Sequence, residues 1–137
     1  MATLNPYLNF NGNAEEAFNF YRSVFGNEFN NFQRFSDIPG GKPEGEDGRR
    51  ILHVSLPVGN DSFLLGSDCP SNYPPVKFGD NCWISINAES TERAKNIFNG
   101  LSSGGKINMP LEKTFWAELF GMCVDKFGVG WMINYNG

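Results

Sequence analysis

The sequence predicts an α+β protein in which one strand–helix–three-strand unit is used twice within 137 residues. Two segments match at a constant offset of 77 residues, and each begins with a helix-capping residue, Asn13 or Ser90. Apolar residues follow each cap at four, seven, eight and eleven positions, which places one apolar stripe on one helix face. A strand-like run precedes each cap, at 7–10 and 83–86, and β-like runs follow each helix. Eight strands in two such units are predicted to surround a shared concave cleft, with the helices outside.

Length and composition fit one domain over residues 1–137, with the first unit at 4–67, a crossover loop at 68–80 and the second unit at 81–137. A net charge of −4, with no basic cluster longer than Arg49-Arg50, argues against nucleic-acid binding. No apolar run approaches the roughly 20 residues of a membrane span. Three cysteines without CxxC spacing suit reduced thiols in a cytoplasmic protein, and Cys82 and Cys123 are expected to be small buried hydrophobes.

The first helix is predicted to begin at Asn13 as the N-cap, with Glu16 at the third helical position in a pair resembling a capping box. Gly26 is predicted to end it. A strand is expected over 28–35. The stretch 36–50 carries four Gly, two Pro and four acidic residues, which predicts a long solvated loop of the kind that forms lids or is disordered.

Residues 51–67 form the clearest predicted hairpin, with its turn at 59–61. Because side chains alternate between the two faces of a strand, Val54 and Leu56 belong to an aliphatic face that should pack on helices. The opposite face carries His53 and Ser55 and should border a cavity or solvent.

The second unit is predicted to contain a strand at 83–87, a helix at 91–101 and β-like runs near 106–109, 117–124 and 130–135. Asp125 is expected to fix the turn at 125–128.

Several runs of residues resemble those of a known family, the PhnB-like proteins of the vicinal-oxygen-chelate superfamily, which also includes glyoxalase I, bleomycin-resistance proteins and extradiol dioxygenases. The resemblance covers nearly the whole chain. The runs are Pro6 to Ala17 with Phe20-Tyr21, His53 in Ile-Leu-His-Val, Met109-Pro110 leading to Thr114-Phe115-Trp116, and Phe120-Gly121 leading to Asp125-Lys126-Phe127-Gly128-Val129 and Trp131-Met132-Ile133-Asn134. The resemblance implies a glyoxalase-like fold, in which paired βαβββ modules form a curved, half-open mixed sheet around a cleft. It also implies a homodimer whose cavity is completed by the partner subunit.

Enzymes of this superfamily typically hold a divalent metal with His and Glu side chains from inner strands of both modules. The positions that the resemblance implies fall near residues 6–7, 65–66, 81–83 and 131–133, and none of these is His, Asp or Glu. We therefore expect no metal and no cofactor, although a metal site displaced toward His53 stays open as an alternative. Members of this branch often carry a 3-demethylubiquinone methyltransferase label. We do not extend it to this chain, because no Gly-rich strand-to-helix turn with a following acidic ribose ligand is present.

Two residues are candidates for catalysis. His53 is the only histidine, and an imidazole that gains and loses protons near neutral pH can act as general acid, general base or metal ligand. Alternatively, it is a hydrogen-bonded structural residue. Glu118 is either a carboxylate in the cleft or a solvated surface group.

Six further residues are candidates for ligand binding: Tyr7, Ser55, Ser67, Asp68, Trp83 and Trp116. Asp68 either orients His53, or binds a polar ligand group, or caps the following loop as a structural residue. Trp116 either stacks on a ligand or lies in a dimer interface or lid. Tyr7, Trp83 and Trp131 either line the cleft or pack in the core.

Three functions stay open from the sequence. The first is a metal-free module that binds or sequesters a small organic molecule in an aromatic-lined cleft. The second is a metal-dependent or His-dependent enzyme of the lyase, isomerase or oxygenase type, acting at a site around His53. The third is a structural or regulatory dimer without a small ligand.

Overall fold

The computed structural model describes residues 2–40, 44–59 and 61–137 of the chain. The chain forms two compact units, Met1–Lys77 and Phe78–Gly137. The first unit contains β1 (Tyr7–Phe10), α1 (Ala14–Phe25), β2 (Asn31–Arg34), a 3₁₀ helix (Phe35–Asp37), α2 (Gly45–Arg49), β3 (Ile51–Pro57) and β4 (Phe63–Asp68). The second unit contains β5 (Ile84–Asn87), α3 (Thr91–Ser102), β6 (Lys106–Glu112), β7 (Leu119–Val124) and β8 (Gly130–Tyr135).

Each unit holds one mixed four-stranded sheet. The strand order is β1-β4-β3-β2 in the first unit and β5-β8-β7-β6 in the second. The first strand of each unit runs parallel to the last, and the remaining neighbours are antiparallel. The predicted α+β class and the repeated strand–helix–three-strand unit are therefore confirmed. The predicted arrangement of both halves around a shared cleft stays a prediction.

The repeat is regular through the helix and then changes its spacing. The first strands begin at Tyr7 and Ile84 and the long helices at Ala14 and Thr91, so both pairs keep the offset of 77. The prediction that the second unit's first strand begins at residue 83 was therefore one residue early. The last strands begin at residues 63 and 130, an offset of 67. The first unit thus holds ten more residues before its last strand.

The additional residues of the first unit lie between β2 and β3. This connection contains the 3₁₀ helix Phe35–Asp37 and the short helix Gly45–Arg49, where the sequence predicted an irregular loop over 36–50. That prediction is wrong for these two segments, and residues 41–43 lie outside the described part of the chain. Asn60 of the predicted hairpin turn also lies outside it, whereas the pairing of β3 with β4 confirms the hairpin.

The two long helices bury their apolar stripes to different degrees. In α3 all four predicted positions are buried, namely Ala94, Ile97, Phe98 and Leu101. In α1 the buried residues are Ala14, Ala17, Phe18, Tyr21 and Phe25, while the predicted Phe20 and Val24 are only half-buried. The stripe of α1 is therefore rotated toward Phe18 relative to the prediction. Gly26 ends α1 in the left-handed region, at φ +80°, as its position predicted.

Several element boundaries and burial predictions differ from the structure. β2 is shorter than the predicted 28–35, β6 extends to Glu112, and β7 begins at Leu119. Cys123 is buried as predicted, but the prediction for Cys82 is wrong, since this residue precedes β5 and is exposed.

Within the described residues, no helix combines the length and the apolar character that crossing a membrane requires. The expected cytoplasmic location stays a prediction.

Candidate functional site

The first sheet has one face covered by α1. A Cβ atom added at Gly66 of β4 would lie 2.5 Å from Cε1 of Phe18, so the helix lies directly against this glycine. Gly66 is paired with Leu8 of β1 and with Val54 of β3. Because side chains alternate along a strand, the residues between these positions point to the opposite side of the sheet. We call that opposite side the open face.

Four of the predicted site residues share the open face. The strand register places Tyr7 of β1 and Ser55 of β3 on either side of Leu65, and Asn9 of β1 beside Ser67 of β4. His53 precedes Ser55 by two residues and therefore lies on the same side. The sequence prediction that His53 and Ser55 lie opposite the aliphatic face of β3 agrees with this arrangement.

Tyr7 and His53 contact each other directly. The phenolic oxygen of Tyr7 lies 3.3 Å from Nδ1 of His53, and the ring centroids are 5.8 Å apart. The tautomer of the imidazole decides which of the two groups donates the hydrogen bond. Tyr7 is 47% exposed, so its ring does not pack in the core. The pair therefore presents a hydroxyl, an imidazole and an aromatic surface together.

Two further polar groups of the open face, Asn9 and Ser67, form a second hydrogen-bonded pair. The hydroxyl of Ser67 donates to Oδ1 of Asn9 at 3.0 Å. Ser55 is buried, whereas Gln33 of β2, paired with His53 in the register, is exposed. Sequence reasoning missed Asn9 and Gln33. The alternation that selected His53 would have found Asn9 two residues after Tyr7, but finding Gln33 required the register of β2.

Asp68 has a structural role, which the sequence left open as an alternative, but it caps the start of α1 and not the loop that follows β4. Its Oδ1 accepts hydrogen bonds from the backbone N–H groups of Gly12 and Ala14, each at 2.9 Å, and its Oδ2 accepts from Ile51 at 2.8 Å. Asp68 is only 2% exposed. The carboxylate thus caps α1 and ties it to β3, so we remove Asp68 from the set of ligand-binding candidates.

Asn13 was predicted to cap α1 with its side chain, and that prediction is wrong. Asn13 occupies the N-cap position but its side chain makes no capping hydrogen bond. The side chain of Ser90 does cap α3, accepting from Arg93 N–H at 3.0 Å.

The carboxylate of Glu15, in the first turn of α1, binds the Arg34 guanidinium in two hydrogen bonds of 2.9 and 2.8 Å. Hydrogen bonding to Arg34 lowers the pKa of Glu15.

The remaining predicted site residues belong to the second unit. The indole N–H of Trp83 donates to the backbone oxygen of Asp80 at 3.1 Å. Trp116 is half-exposed, with edge-to-face contacts to Phe115 and Phe120. Glu118 is exposed and precedes β7. The structure therefore places Trp83, Trp116 and Glu118 in a different unit from the Tyr7–His53 pair.

Asp125 fixes the β7–β8 turn as predicted. Its Oδ1 accepts from the backbone N–H groups of Phe127 and Val129, and its Oδ2 accepts from the indole N–H of Trp131 at 2.8 Å. Trp131 is 1% exposed and packs in the core. Burial, followed by the charge of Asp125, raises the pKa of the nearby Cys123 thiol to about 11.

The open face does not offer the donor set of a divalent metal site. Such sites combine imidazole, thiolate or carboxylate ligands, usually three or more from the protein. Among the described residues of this face, His53 is the one strong ligand, and its neighbours Tyr7, Asn9, Ser55 and Ser67 carry neutral hydroxyl or carboxamide groups. Among the residues that the structure describes, no three His, Cys, Asp or Glu side chains are grouped so that they could hold one ion. These residues therefore do not fit a bound metal.

Comparison with known proteins identifies the family. Residues 2–134 match the 3-demethylubiquinone-9 3-methyltransferase family. The chain belongs to this family. Its structure is similar to that of protein PA1353 from Pseudomonas aeruginosa, with 39% sequence identity, a TM-score of 0.87 and coverage of 99% of this chain and 98% of that one.

Two further structures extend the likeness. A PhnB protein from Bacillus cereus, described as a putative 3-demethylubiquinone-9 3-methyltransferase, is 27% identical at a TM-score of 0.78, covering 98% of this chain and 99% of that one. A glyoxylase/bleomycin resistance protein/dioxygenase domain from Frankia is 8% identical at a TM-score of 0.68, covering 100% and 98% of the two chains, which shows a shared fold. The predicted PhnB-like identity and glyoxalase-like fold are confirmed.

Proposed function

We propose that this protein binds a small, uncharged, oxygen-bearing organic molecule on the open face of its first sheet. The observation that carries the proposal is the contact of Tyr7 with His53, 3.3 Å between the phenolic oxygen and Nδ1. These two side chains come from strands separated by β4, and they meet on the side of the sheet opposite α1. A hydrogen-bonded pair with an exposed aromatic ring offers both direction and stacking area to a ligand.

The chemistry of the open face favours a neutral ligand. Its polar groups are the hydroxyls of Tyr7, Ser55 and Ser67, the imidazole of His53, and the carboxamides of Asn9, Gln33 and Asn31, which is paired with Ser55. Each can donate or accept a hydrogen bond, and none supplies a fixed charge. Carbonyl, phenol and ether oxygens are recognised well by such groups, whereas a charged ligand would lack a counter-charge.

The N-terminus of α1 gives little support to methyl transfer, the activity in the name of the family. Folds that bind dinucleotide-like cofactors usually leave the N-terminus of a helix free to face the anionic group. In this chain the N–H groups of Gly12 and Ala14 at that terminus are bonded to the carboxylate of Asp68. The terminus is therefore already neutralised from within the protein.

The test uses the single histidine as its reporter. Imidazole NMR signals of uniformly ¹⁵N-labelled protein belong to His53 alone, and they are followed as catechol, hydroquinone and 4-hydroxybenzaldehyde are added. We expect saturable shifts with at least one of these probes. Tyr7→Phe should weaken that binding about two- to twelvefold, the range for one lost hydrogen bond.

A matched control is Tyr73→Phe, because Tyr73 is an exposed tyrosine elsewhere in the first unit. This variant should bind the probe like the unaltered protein. Signals of His53 that do not move with any probe, or equal affinity in Tyr7→Phe and the control, would contradict the proposal.

A second candidate function is general acid–base catalysis by His53. The Tyr7 contact at Nδ1 favours it, because a partner at one ring nitrogen fixes the imidazole and leaves the other to exchange a proton with a substrate. The two functions separate when a bound probe is followed by NMR for hours. Conversion that disappears in His53→Asn while binding persists would establish the enzyme. Binding without conversion would support the binding protein.

A metal-dependent enzyme with its metal displaced toward His53 is tested separately, by measuring bound metal and thermal stability. Protein purified without an affinity tag is subjected to elemental analysis, and its thermal unfolding is measured with Mn²⁺, Ni²⁺ and Zn²⁺. We expect no stoichiometric metal and no shift in Tm. A shift that His53→Asn abolishes would establish a metal site at this residue instead.

We also propose a homodimer that forms through the edge of the second sheet. β6 is one of the two edge strands of this sheet, and its Ile107 and Met109 are exposed, as are Phe115 and Trp116 in the connection that follows. Unpaired edges and apolar patches of this kind are typical of association surfaces. Light scattering should give about twice the chain mass of 15.3 kDa. A mass of one chain would contradict the dimer.

A further inference from the structure

We propose that the second unit carries a binding site of its own, for a flat aromatic molecule without negative charge. The site is a recess of about 460 Å³ near the β7–β8 turn. All of the described residues that line it belong to the range 78–137, whereas the Tyr7–His53 pair belongs to the first unit. The inference therefore goes beyond the function proposed above and does not depend on it.

Two aromatic rings that line the recess, those of Phe78 and Trp83, pack against glycines at and just after the end of the β7–β8 turn. A Cβ atom at Gly128, whose φ is +97°, would lie 3.2 Å from Cδ2 of Phe78. A Cβ atom at Gly130 would lie 2.8 Å from Cε3 of Trp83. A side chain at Gly130 would therefore clash with the Trp83 indole, and one at Gly128 would be strained at its positive φ and tight against Phe78.

The indole of Trp83 is held in place. Its N–H donates to the backbone oxygen of Asp80 at 3.1 Å, which fixes the ring where it lines the recess. A ring that is already oriented loses little conformational freedom when a ligand stacks on it. Trp83 thereby gains the ligand-binding role that the sequence suggested for it, but in this recess.

Size and charge define the ligand class. The volume lies within the range of about 300–1,000 Å³ that is typical of small-molecule pockets. Of the described residues that line it, Asp80 alone carries a formal charge. An aromatic ring can stack on Trp83, and a positive charge on the ligand is favoured both by Asp80 and by the face of the indole. A carboxylate on the same ring would be repelled.

The exposed thiol of Cys82 reports occupancy, because Cys82 is one of the lining residues. The rate of its alkylation by iodoacetamide is measured by peptide mapping with and without 1-naphthylmethylammonium, whose Kd is first obtained by calorimetry. At ten times Kd, about one protein in eleven is unoccupied, so alkylation should slow about tenfold. The matched probe 1-naphthoate has the same ring and the opposite charge, and it should protect much less.

Two variants separate this site from the first one. Trp83→Leu should weaken binding of 1-naphthylmethylammonium about fivefold or more, since the stacking surface is lost. His53→Asn should leave binding and protection unchanged. Absence of protection with 1-naphthylmethylammonium, equal protection by both probes, or unchanged affinity in Trp83→Leu would each overturn the proposal. Because Cys82 alkylation is read on the intact protein, a Trp83→Leu protein that fails to fold does not affect the comparison of the two probes.

Discussion

Replacing Asp68 should destabilise the protein more than replacing the residue that the sequence marks as the helix cap. In Asp68→Ala, three backbone N–H groups, those of Gly12, Ala14 and Ile51, lose a carboxylate acceptor at 2.8–2.9 Å. A buried donor left without a partner costs about 1–3 kcal/mol. Partial access of water to the cavity offsets part of this sum, so we expect a loss of about 3–5 kcal/mol. That is a large fraction of the roughly 5–15 kcal/mol that stabilises a typical protein.

The matched comparison is Asn13→Ala. An N-cap side chain that accepts a hydrogen bond is worth about 0.5–2 kcal/mol, but Asn13 makes no such bond. Its replacement should therefore cost less than about 0.5 kcal/mol, as at an ordinary surface site. Asp68→Asn should fall between the two, because Oδ1 is retained and the new amide NH₂ faces the N–H of Ile51 as donor against donor.

The free energy of unfolding is measured by urea titration, followed by helical circular dichroism. A loss below about 1 kcal/mol in Asp68→Ala would refute the reasoning. So would a larger loss in Asn13→Ala than in Asp68→Ala, since the cap would then lie where the sequence alone predicted it.

Three further predictions concern pH, thiol chemistry and packing. Arg34 lowers the pKa of Glu15, so this pair stabilises the fold above the unfolded carboxyl pKa of about 4.3 and ceases to do so as the pH falls through the lower folded value. Glu15→Gln should accordingly cost up to about 1 kcal/mol at pH 7 and less at pH 3, measured by urea unfolding, and an equal cost at both would contradict it. Because its pKa is raised to about 11, Cys123 is a thiolate in about one molecule per thousand at pH 8. Iodoacetamide should therefore modify the exposed Cys82 and leave Cys123 unmodified, which peptide mapping would show. Gly66→Ala places a Cβ atom 2.5 Å from a ring carbon of Phe18 in α1. We expect the free energy of unfolding, measured in urea, to fall by at least about 1–3 kcal/mol. A variant as stable as the unaltered protein would show that the helix can move away.

The repeated unit could be predicted from the sequence because its signals are local. Apolar residues at helical spacing, Gly26 as a stop and alternation around His53 each depend on neighbours within a few positions. The family resemblance added the fold, which the shared architecture confirms. The short helix Gly45–Arg49 was missed because its glycines and charges are those of a solvated loop, and five residues give no periodicity to read.

The candidate site could be predicted only in part, because sheet register joins distant residues. Alternation identified the polar side of β3, but the contact of Tyr7 with His53 depends on β4 lying between their strands. The role of Asp68 depends on the same register, which places it opposite Phe10 at the start of the connection to α1. Local propensity favours Asn13 as a cap, and a carboxylate 54 positions away from Ala14 outcompetes it.

The distribution of aromatic reporters gives each half of the protein a separate spectroscopic signal. Trp83, Trp116 and Trp131 all lie in the second unit, and His53, the only histidine, lies in the first. Tryptophan emission therefore reports on the second unit alone. Most of its change on unfolding should come from Trp131, whose buried indole donates to Asp125 in the folded protein. Imidazole resonances follow the first unit in the same unmodified sample. Coincident transitions would show that the duplicated halves unfold as one cooperative body, and separate midpoints would show that each half unfolds independently.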